Sequence, residues 1–163
     1  MPQRYYFYMT SFLISSDIYR NTHYGGKHPL NIPRVGATLD LIKAMSWYDE
    51  AKFITAPIAK PSLLKKFHSN DYVNVLIEAD EKQEIDKNQS NKYNLGTPSN
   101  PIFKGMYKRP ATSVGGSVVA AEFAFLHGRA FNLGGGLHHG LANKANGFCL
   151  SLIHISEPTR HLL

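Results

Sequence analysis

Short apolar runs alternate with polar segments in the first third of the chain. Residues 12–14 are Phe-Leu-Ile, and this run predicts a first strand. Residues 21–31 are polar and contain two glycines, so we expect a loop there. Pro33 suits the first turn of a helix, whose expected buried stripe is Val35, Leu39, Ile42 and Met45. Residues 53–58 predict a second short strand.

The middle of the chain begins with a helix signal. Ser69 or Asn70 is suited to cap a helix that buries Tyr72, Val73, Leu76 and Ile77. Residues 78–94 are charged and polar, and we expect this stretch to hold the longest exposed loop of the chain. Residues 97–101 contain two prolines and predict another loop.

Residues 111–126 carry the strongest helical pattern. The predicted buried stripe is Val114, Val118, Ala121 and Phe125. Gly115 and Gly116 should let another element approach this helix closely, and His127-Gly128 should end it. Residues 130–133 predict a strand that leads into a glycine-rich loop. Helices that alternate with short apolar strands indicate an α/β fold with a parallel sheet, whose functional loops lie at the carboxyl ends of strands.

The glycine-rich loop holds the best candidates for chemistry. Three glycines at 134–136 are followed by Leu137, His138 and His139. Because neighbouring side chains on an extended or turning backbone diverge, the two histidines cannot both point into a core, and we expect at least one of them to face a cleft. Histidine titrates closest to neutral pH, so the pair is a candidate for proton transfer. The alternative interpretation is a glycine-rich turn with two solvated histidines.

Composition limits the class of protein. The 163 residues, of which 43% are hydrophobic and 18% charged, suit one soluble globular domain. The single cysteine, Cys149, excludes an internal disulfide and fits a reducing compartment, so we expect a cytoplasmic protein. No apolar run approaches the roughly 18 residues of a membrane span, and we expect no membrane partner.

Charge is unevenly distributed along the chain. The net charge is +6, and ten of the twelve acidic residues lie at or before Asp86. A basic chain can bind polyanions through phosphate contacts. The lysines and arginines are scattered rather than clustered, which argues against nucleic acid as a partner. A basic polyanion-binding domain stays open as an alternative function.

Four motifs, in a fixed order, resemble one known family. They are His-Pro-Leu-Asn-Ile-Pro-Arg at 28–34, Phe-His-Ser-Asn-Asp-Tyr at 67–72, Ala-Thr at 111–112 leading into the glycine pair at 115–116, and the stretch from Gly-Gly-Leu-His-His-Gly at 135–140 to Gly-Phe-Cys at 147–149. Together they resemble the histone deacetylase and acetoin-utilisation deacetylase family over roughly residues 10–149. The resemblance implies a three-layer α-β-α fold of the arginase/deacetylase type, with a parallel sheet, truncated after the His-His loop.

The resemblance also implies an activity. Family members are zinc-dependent amidohydrolases, so the expected substrate is acetyl-lysine or another acetylated amine, and the expected cofactor of the intact parent is zinc. His139 resembles the general base that activates water and then protonates the leaving amine. His138 resembles the partner that stabilises charge in the transition state.

Other residues match positions of the family's substrate channel. Gly136, Gly147 and Phe148 resemble its substrate-binding wall, and Arg34 resembles an arginine that lines the cavity through which acetate leaves. The alternatives are that Phe148 is a core residue and that Arg34 is a surface residue at a helix start. His28 and His68 are expected to have structural roles as hydrogen-bonded side chains. We interpret Cys149 as a buried apolar residue.

The sequence departs from the family pattern after the His-His loop. The family's metal-binding aspartates, its Asp-x-His motif and its oxyanion tyrosine would all lie beyond Cys149, yet there is no aspartate after Asp86. We therefore expect this chain alone to contain no metal ligands, to bind no catalytic zinc and to deacetylate no substrate. The alternative from another class is a catalytically dead binding protein on the same fold.

The same motif matches predict where the family-like part of the chain begins and ends. Residues 9–149 are interpreted as the N-terminal part of a deacetylase domain, and residues 1–8 as a non-native extension before Met9. Residues 150–163 do not resemble the family's continuation, and we interpret them as a non-native tail. A natural, divergent tail is the alternative.

Overall fold

Three parallel strands form the centre of the fold. The computed structural model describes residues 10–26 and 28–151. The strands are β1 (Thr10–Ser15), β2 (Phe53–Thr55) and β3 (Gly128–Asn132), arranged in the order β2-β1-β3. Leu13 of β1 pairs with both Phe53 and Phe131. The predicted α/β class, the parallel sheet and the first strand are confirmed.

Six helices connect and flank the strands. They are α1 (Ile18–Asn21), α2 (Arg34–Ala44), α3 (Pro61–Leu64), α4 (Asn70–Lys82), α5 (Lys87–Tyr93) and α6 (Lys108–His127) among the described residues. Short 3-10 turns lie at Pro29–Asn31 and Glu50–Lys52. Within the described ranges, no helix has both the length and the apolar character needed to cross a membrane.

The predicted loop at 78–94 is wrong. Helix α4 continues through Lys82, and α5 occupies most of the remaining segment. The Asp86 carboxylate caps α5 by accepting hydrogen bonds from the backbone N–H groups of Asn88 and Gln89, at 2.8 and 3.1 Å. Glutamate, lysine and glutamine are good helix formers on an exposed face, so a polar composition alone did not distinguish helix from loop.

Helix α4 begins where the sequence predicted. The Ser69 hydroxyl accepts from the backbone N–H of Tyr72 at 3.4 Å. The helix then buries Tyr72, Val73 and Leu76, while Ile77 is half-buried. The larger apolar cluster forms around this helix and consists of Tyr24, Tyr72, Val75, Leu76, Ala79, Tyr93, Leu95, Phe103, Met106, Ala145 and Leu150.

Helix α6 packs closely on the chain that follows β2. A Cβ atom added at Gly115 would overlap the carbonyl oxygen of Pro57 and lie 3.1 Å from the backbone nitrogen of Ala59. The Ala59 N–H also donates to the carbonyl of Ala111 at 3.0 Å. The predicted close approach at this glycine is therefore confirmed.

The predicted apolar stripes of two helices are partly wrong. Val118 is exposed on α6, and Phe125 is 90% exposed. Instead Phe123, seven residues after Gly116, packs its ring 4.8 Å from that of Phe12 in β1. The glycine pair fixes the rotation of the helix about its axis, and residues seven apart share a face. In α2, Leu39 is buried, Val35 and Ile42 are half-buried, and Met45 is 51% exposed.

The predicted chain boundaries fall mainly outside the described ranges. The segment 1–8 and most of 150–163 are not among the described residues, so these two interpretations stay predictions. Leu150 and Ser151 are described, and both are buried. The Tyr72 hydroxyl donates to the carbonyl of Leu150 at 2.6 Å.

Candidate active site

The glycine-rich loop begins at the carboxyl end of β3. After Asn132 the chain turns, and the N–H of Gly135 donates to the carbonyl of Asn132 at 3.2 Å. A Cβ atom added at Gly134 would overlap the hydroxyl of Tyr19, so only glycine fits against this buried ring. The loop therefore lies at the sheet edge where functional loops of parallel sheets occur.

His138 and His139 lie side by side. Their ring centroids are 4.1 Å apart, with an angle of 41° between the planes, and both side chains are exposed. The expectation that neighbouring side chains diverge is wrong here, because both rings lie on the same side of the loop. His138 Nδ1 lies 2.9 Å from the carbonyl oxygen of Gly136, so the Nδ1–H group donates this hydrogen bond.

A second turn contacts the histidine pair. Asn146 and Cys149 exchange two backbone hydrogen bonds of 3.1 and 2.8 Å. The two residues between them, Gly147 and Phe148, have φ angles of 53° and 66°, as type I′ turns require. A Cβ atom at Gly147 would lie 2.8 Å from Cβ and Cγ of His139. The structure thus brings Gly147 and His139 into direct contact.

Phe148 contributes to a groove beside this turn. Its half-buried ring meets the ring of His28 edge-on, with centroids 4.9 Å apart and planes at 90°. The groove has a volume of about 500 Å³, and Tyr24 and Pro98 also line it. The Phe148 ring therefore has an apolar face towards an open groove, which suits an alkyl chain.

His28 joins three segments around the groove. Its Nδ1 accepts a hydrogen bond from the N–H of Leu30 at 3.0 Å, which places the proton of the neutral ring on Nε2. Nε2–H donates to the carbonyl of Ser99 at 3.2 Å, and Tyr24 stacks on the ring with centroids 4.7 Å apart. The predicted structural role of this histidine is confirmed.

His68 links the start of α4 to the segment after the histidine pair. Its Nδ1–H donates to the carbonyl of Leu141 at 3.0 Å, and its Nε2 lies 2.9 Å from the hydroxyl of Ser151. Burial lowers the pKa of His68 below its ordinary value. Cys149 is buried, as expected. These contacts hold both ends of the segment that carries the second turn.

Arg34 lies apart from the contacts described above. It is the first residue of α2 and is exposed, and its side chain has no hydrogen-bond or ion-pair partner within the described ranges. A different arginine, which sequence reasoning missed, reaches the interior. Arg109 Nη1 donates to the carbonyls of Tyr19 and Thr22 at 3.2 and 3.1 Å.

Arg109 also faces two buried aromatic rings. Its guanidinium carbon lies 5.2 Å from the ring centroid of Tyr19 and 5.6 Å from that of Tyr24. Burial raises the pKa of the Tyr24 hydroxyl, and the charge of Arg109 opposes this shift. In the sequence, Lys-Arg-Pro at 108–110 looks like a surface segment, so no local pattern indicated this half-buried cation.

The residues that the structure describes do not fit a zinc site. No group of three or more histidine, cysteine, aspartate or glutamate side chains within 10–26 and 28–151 could hold a metal ion. A zinc ion in proteins takes three or four such ligands. The histidine pair is therefore present without a ligand set around it in this part of the chain.

A histidine pair at the carboxyl end of a strand in an α/β fold suits an enzyme that uses acid–base chemistry, and similarity to known proteins gives the family. The family model named histone deacetylase domain matches residues 28–152. The acetoin utilization protein AcuC of Bacillus subtilis is 35% identical over 144 residues, which are 86% of this chain and 36% of that protein. The chain belongs to the histone deacetylase family.

Two further comparisons agree with this assignment. Histone deacetylase HDAC1 of Drosophila melanogaster is 36% identical over 135 residues, which are 79% of this chain and 25% of that protein. The crystal structure of an HDAC homolog from Aquifex aeolicus superposes with a TM-score of 0.84 at 38% identity, covering 88% of this chain and 39% of that chain. This chain thus spans roughly a quarter to two fifths of the proteins that it resembles.

Proposed function

We propose that this chain is the N-terminal part of a zinc-dependent deacetylase, and that His138 and His139 are its proton-transfer pair. The observation that carries the proposal is the contact between the two rings, 4.1 Å apart, on a loop at the carboxyl end of β3. The second turn, which touches His139 through Gly147, supports the same assignment.

The proposed substrate of the whole protein is acetyl-lysine or an acetylated small amine. His139 takes a proton from the attacking water and passes it to the leaving amine nitrogen. His138 stabilises the negative charge that develops on the acetyl oxygen in the transition state. Its Nδ1–H bond to the carbonyl of Gly136 fixes the orientation of the ring.

The proposed substrate channel includes Gly136, Gly147 and Phe148. Gly136 has a φ angle of 95° and no neighbouring atom within 4 Å of an added Cβ, so the loop is open on that side. Phe148 presents its ring to the groove, where it can contact an alkyl stem. Arg34 is proposed to bind a carboxylate product, through the paired N–H groups of its guanidinium.

Zinc is the proposed cofactor of the whole protein. Its ligands are proposed to lie beyond Cys149, and this chain alone is expected to bind no catalytic zinc and to hydrolyse no amide. A cytoplasmic location is part of the same proposal, since the single cysteine cannot form an internal disulfide.

The test uses a chimera in which residues 1–149 are followed by the segment of the Bacillus subtilis relative that lies beyond the aligned stretch. We expect the chimera to deacetylate an acetyl-lysine peptide or an acetylated amine. His139→Ala should lower kcat by about 10²- to 10⁴-fold. The matched control is His23→Ala, an exposed histidine outside the loop, which should retain activity.

Three results would overturn the proposal. The first is a chimera that contains zinc and folds but hydrolyses no acetylated amine. The second is a His139→Ala chimera with undiminished kcat. The third is stoichiometric zinc together with amide hydrolysis in the purified 163-residue chain, because this would contradict the proposed location of the metal ligands.

A further inference from the structure

The side chain of Asn132 joins α6 to the start of the glycine-rich loop. Its Nδ2 group donates two hydrogen bonds, to the carbonyl of Ser113 and the hydroxyl of Ser117, both at 3.0 Å. Its Oδ1 accepts a hydrogen bond from the N–H of Gly134 at 3.1 Å. Both amide protons and the amide oxygen are therefore used, two towards the helix and one towards the loop.

The surroundings of Asn132 are shaped to hold this amide. A Cβ atom at Gly116 would lie 2.9 Å from Oδ1 and 3.0 Å from Cγ of Asn132, so glycine allows the amide to lie against the helix. The backbone of Asn132 is fixed as well, because it is paired with Ile14 in the sheet. The next residue, Leu133, donates its N–H to the carbonyl of Ile14 at 3.0 Å.

Glycines give a loop no side chains with which to hold its conformation, so the loop depends on contacts at its ends. We propose that Asn132 is a positioning residue that fixes the glycine-rich loop and thereby the placement of His138 and His139. The inference deepens the proposed function and rests on it for its catalytic consequence. The structural part of the inference, that Asn132 fixes the placement of the two histidine rings, does not depend on the proposed function.

Three substitutions separate the contacts of Asn132. Asn132→Ala removes the bonds to both the helix and the loop. Asn132→Asp has nearly the same shape and keeps an acceptor for Gly134, but it loses the two N–H donors to α6. Ser117→Ala is the matched control, because it removes one partner on the helix and leaves the amide bonds to Ser113 and Gly134 in place.

The first measurement is made on the full 163-residue chain by NMR. The rings of His138 and His139 are close enough, at 4.1 Å between centroids, to give inter-ring NOEs. We expect these NOEs in the unsubstituted chain and in Ser117→Ala, and we expect them to be lost in Asn132→Ala. Retained NOEs in Asn132→Ala would overturn the inference. This measurement needs no activity, so it stands even if the deacetylase proposal fails.

The second measurement compares kcat and KM in the chimera. Asn132→Ala should lower kcat by about 100-fold with KM changed by less than about threefold, since a catalytic group displaced by about 1 Å loses this much. Asn132→Asp should lower kcat by at least about tenfold. If Asn132→Ala does not fold, the Asn132→Asp result decides. A kcat within about twofold of the unsubstituted chimera, per folded molecule, overturns the inference.

Discussion

Gly147→Ala tests how tightly the second turn holds the candidate base. The added Cβ would lie 2.8 Å from Cβ and Cγ of His139 and 3.2 Å from its Cδ2. To restore an ordinary carbon–carbon contact, the His139 side chain must retreat by roughly 0.6 Å. Alanine at a φ of 53° also adds left-handed backbone strain of about 1–2 kcal/mol.

The displacement of His139 should dominate the effect on activity. A shift of about 1 Å in a catalytic group costs about 100-fold in rate, so a shift of roughly 0.6 Å should lower kcat of the chimera at least about tenfold. Unfolding in urea should show a loss of about 1–2 kcal/mol from the strained backbone.

The matched control for backbone strain is Gly25→Ala. Gly25 has a φ of 99°, and a Cβ atom there meets no atom within 4 Å. This variant should lose a similar free energy of unfolding while the NMR resonances of the His139 ring stay in place. Steady-state kinetics and NMR of the two variants check the prediction. Unchanged kcat and unchanged His139 resonances in Gly147→Ala would refute the reasoning.

Three further predictions concern stability and are read from urea unfolding of the 163-residue chain. Gly115→Ala should cost about 2 kcal/mol, because the new methyl group meets the backbone of Pro57 and Ala59, whereas Gly26→Ala meets nothing within 4 Å and should be nearly neutral. Equal effects of the two would contradict the observed packing of α6. Burial lowers the pKa of His68 in the folded chain. As the pH falls, the imidazole of His68 is therefore protonated in the unfolded chain before it is protonated in the folded chain. Stability should be fully present above pH about 6.5 and fall as pH drops through the lowered pKa, and His68→Gln should flatten this dependence. A wild-type profile that is flat below pH about 6.5 would count against the burial of this ring. Ser69→Ala should remove the cap of α4 and lower the free energy of unfolding by about 1 kcal/mol. Ser62→Ala is the control, because Ser62 caps no helix. An unchanged free energy of unfolding in Ser69→Ala would show that the Ser69 hydroxyl does not stabilise the helix.

The strand pattern and the glycine-rich loop could be predicted because their signals are local. The apolar run at 12–14 and the segment after Gly128 form paired strands, and the loop follows β3 directly. The close approach at Gly115 was also predictable, because a glycine within a helix of apolar pattern lets another element pack closely against it. The element that it meets, near Pro57, is 58 residues away in sequence and had no local signal.

What could not be predicted depends on contacts between distant segments. The exposure of Phe125 follows from the rotation that the Gly115–Gly116 contact imposes on α6, and not from the hydrophobic pattern of the helix itself. The two histidine rings lie side by side on a loop without regular secondary structure, and Gly147, which contacts His139, lies in the next turn. Arg109 and the Nδ2 group of Asn132 act through partners that are 15 to 90 residues away.

The measurement that tests the central claim most directly is to sequence the source DNA across the codons for Cys149 and Leu150 and well beyond. The account predicts that the reading frame of the natural gene continues past Cys149 into an Asp-x-His motif, with a later aspartate and a tyrosine that complete a deacetylase site. If 150–163 proves to be the natural C-terminal segment, with no such motif after it, the claim that this chain is part of a zinc-dependent deacetylase is contradicted, and a binding role on the same fold becomes the better account.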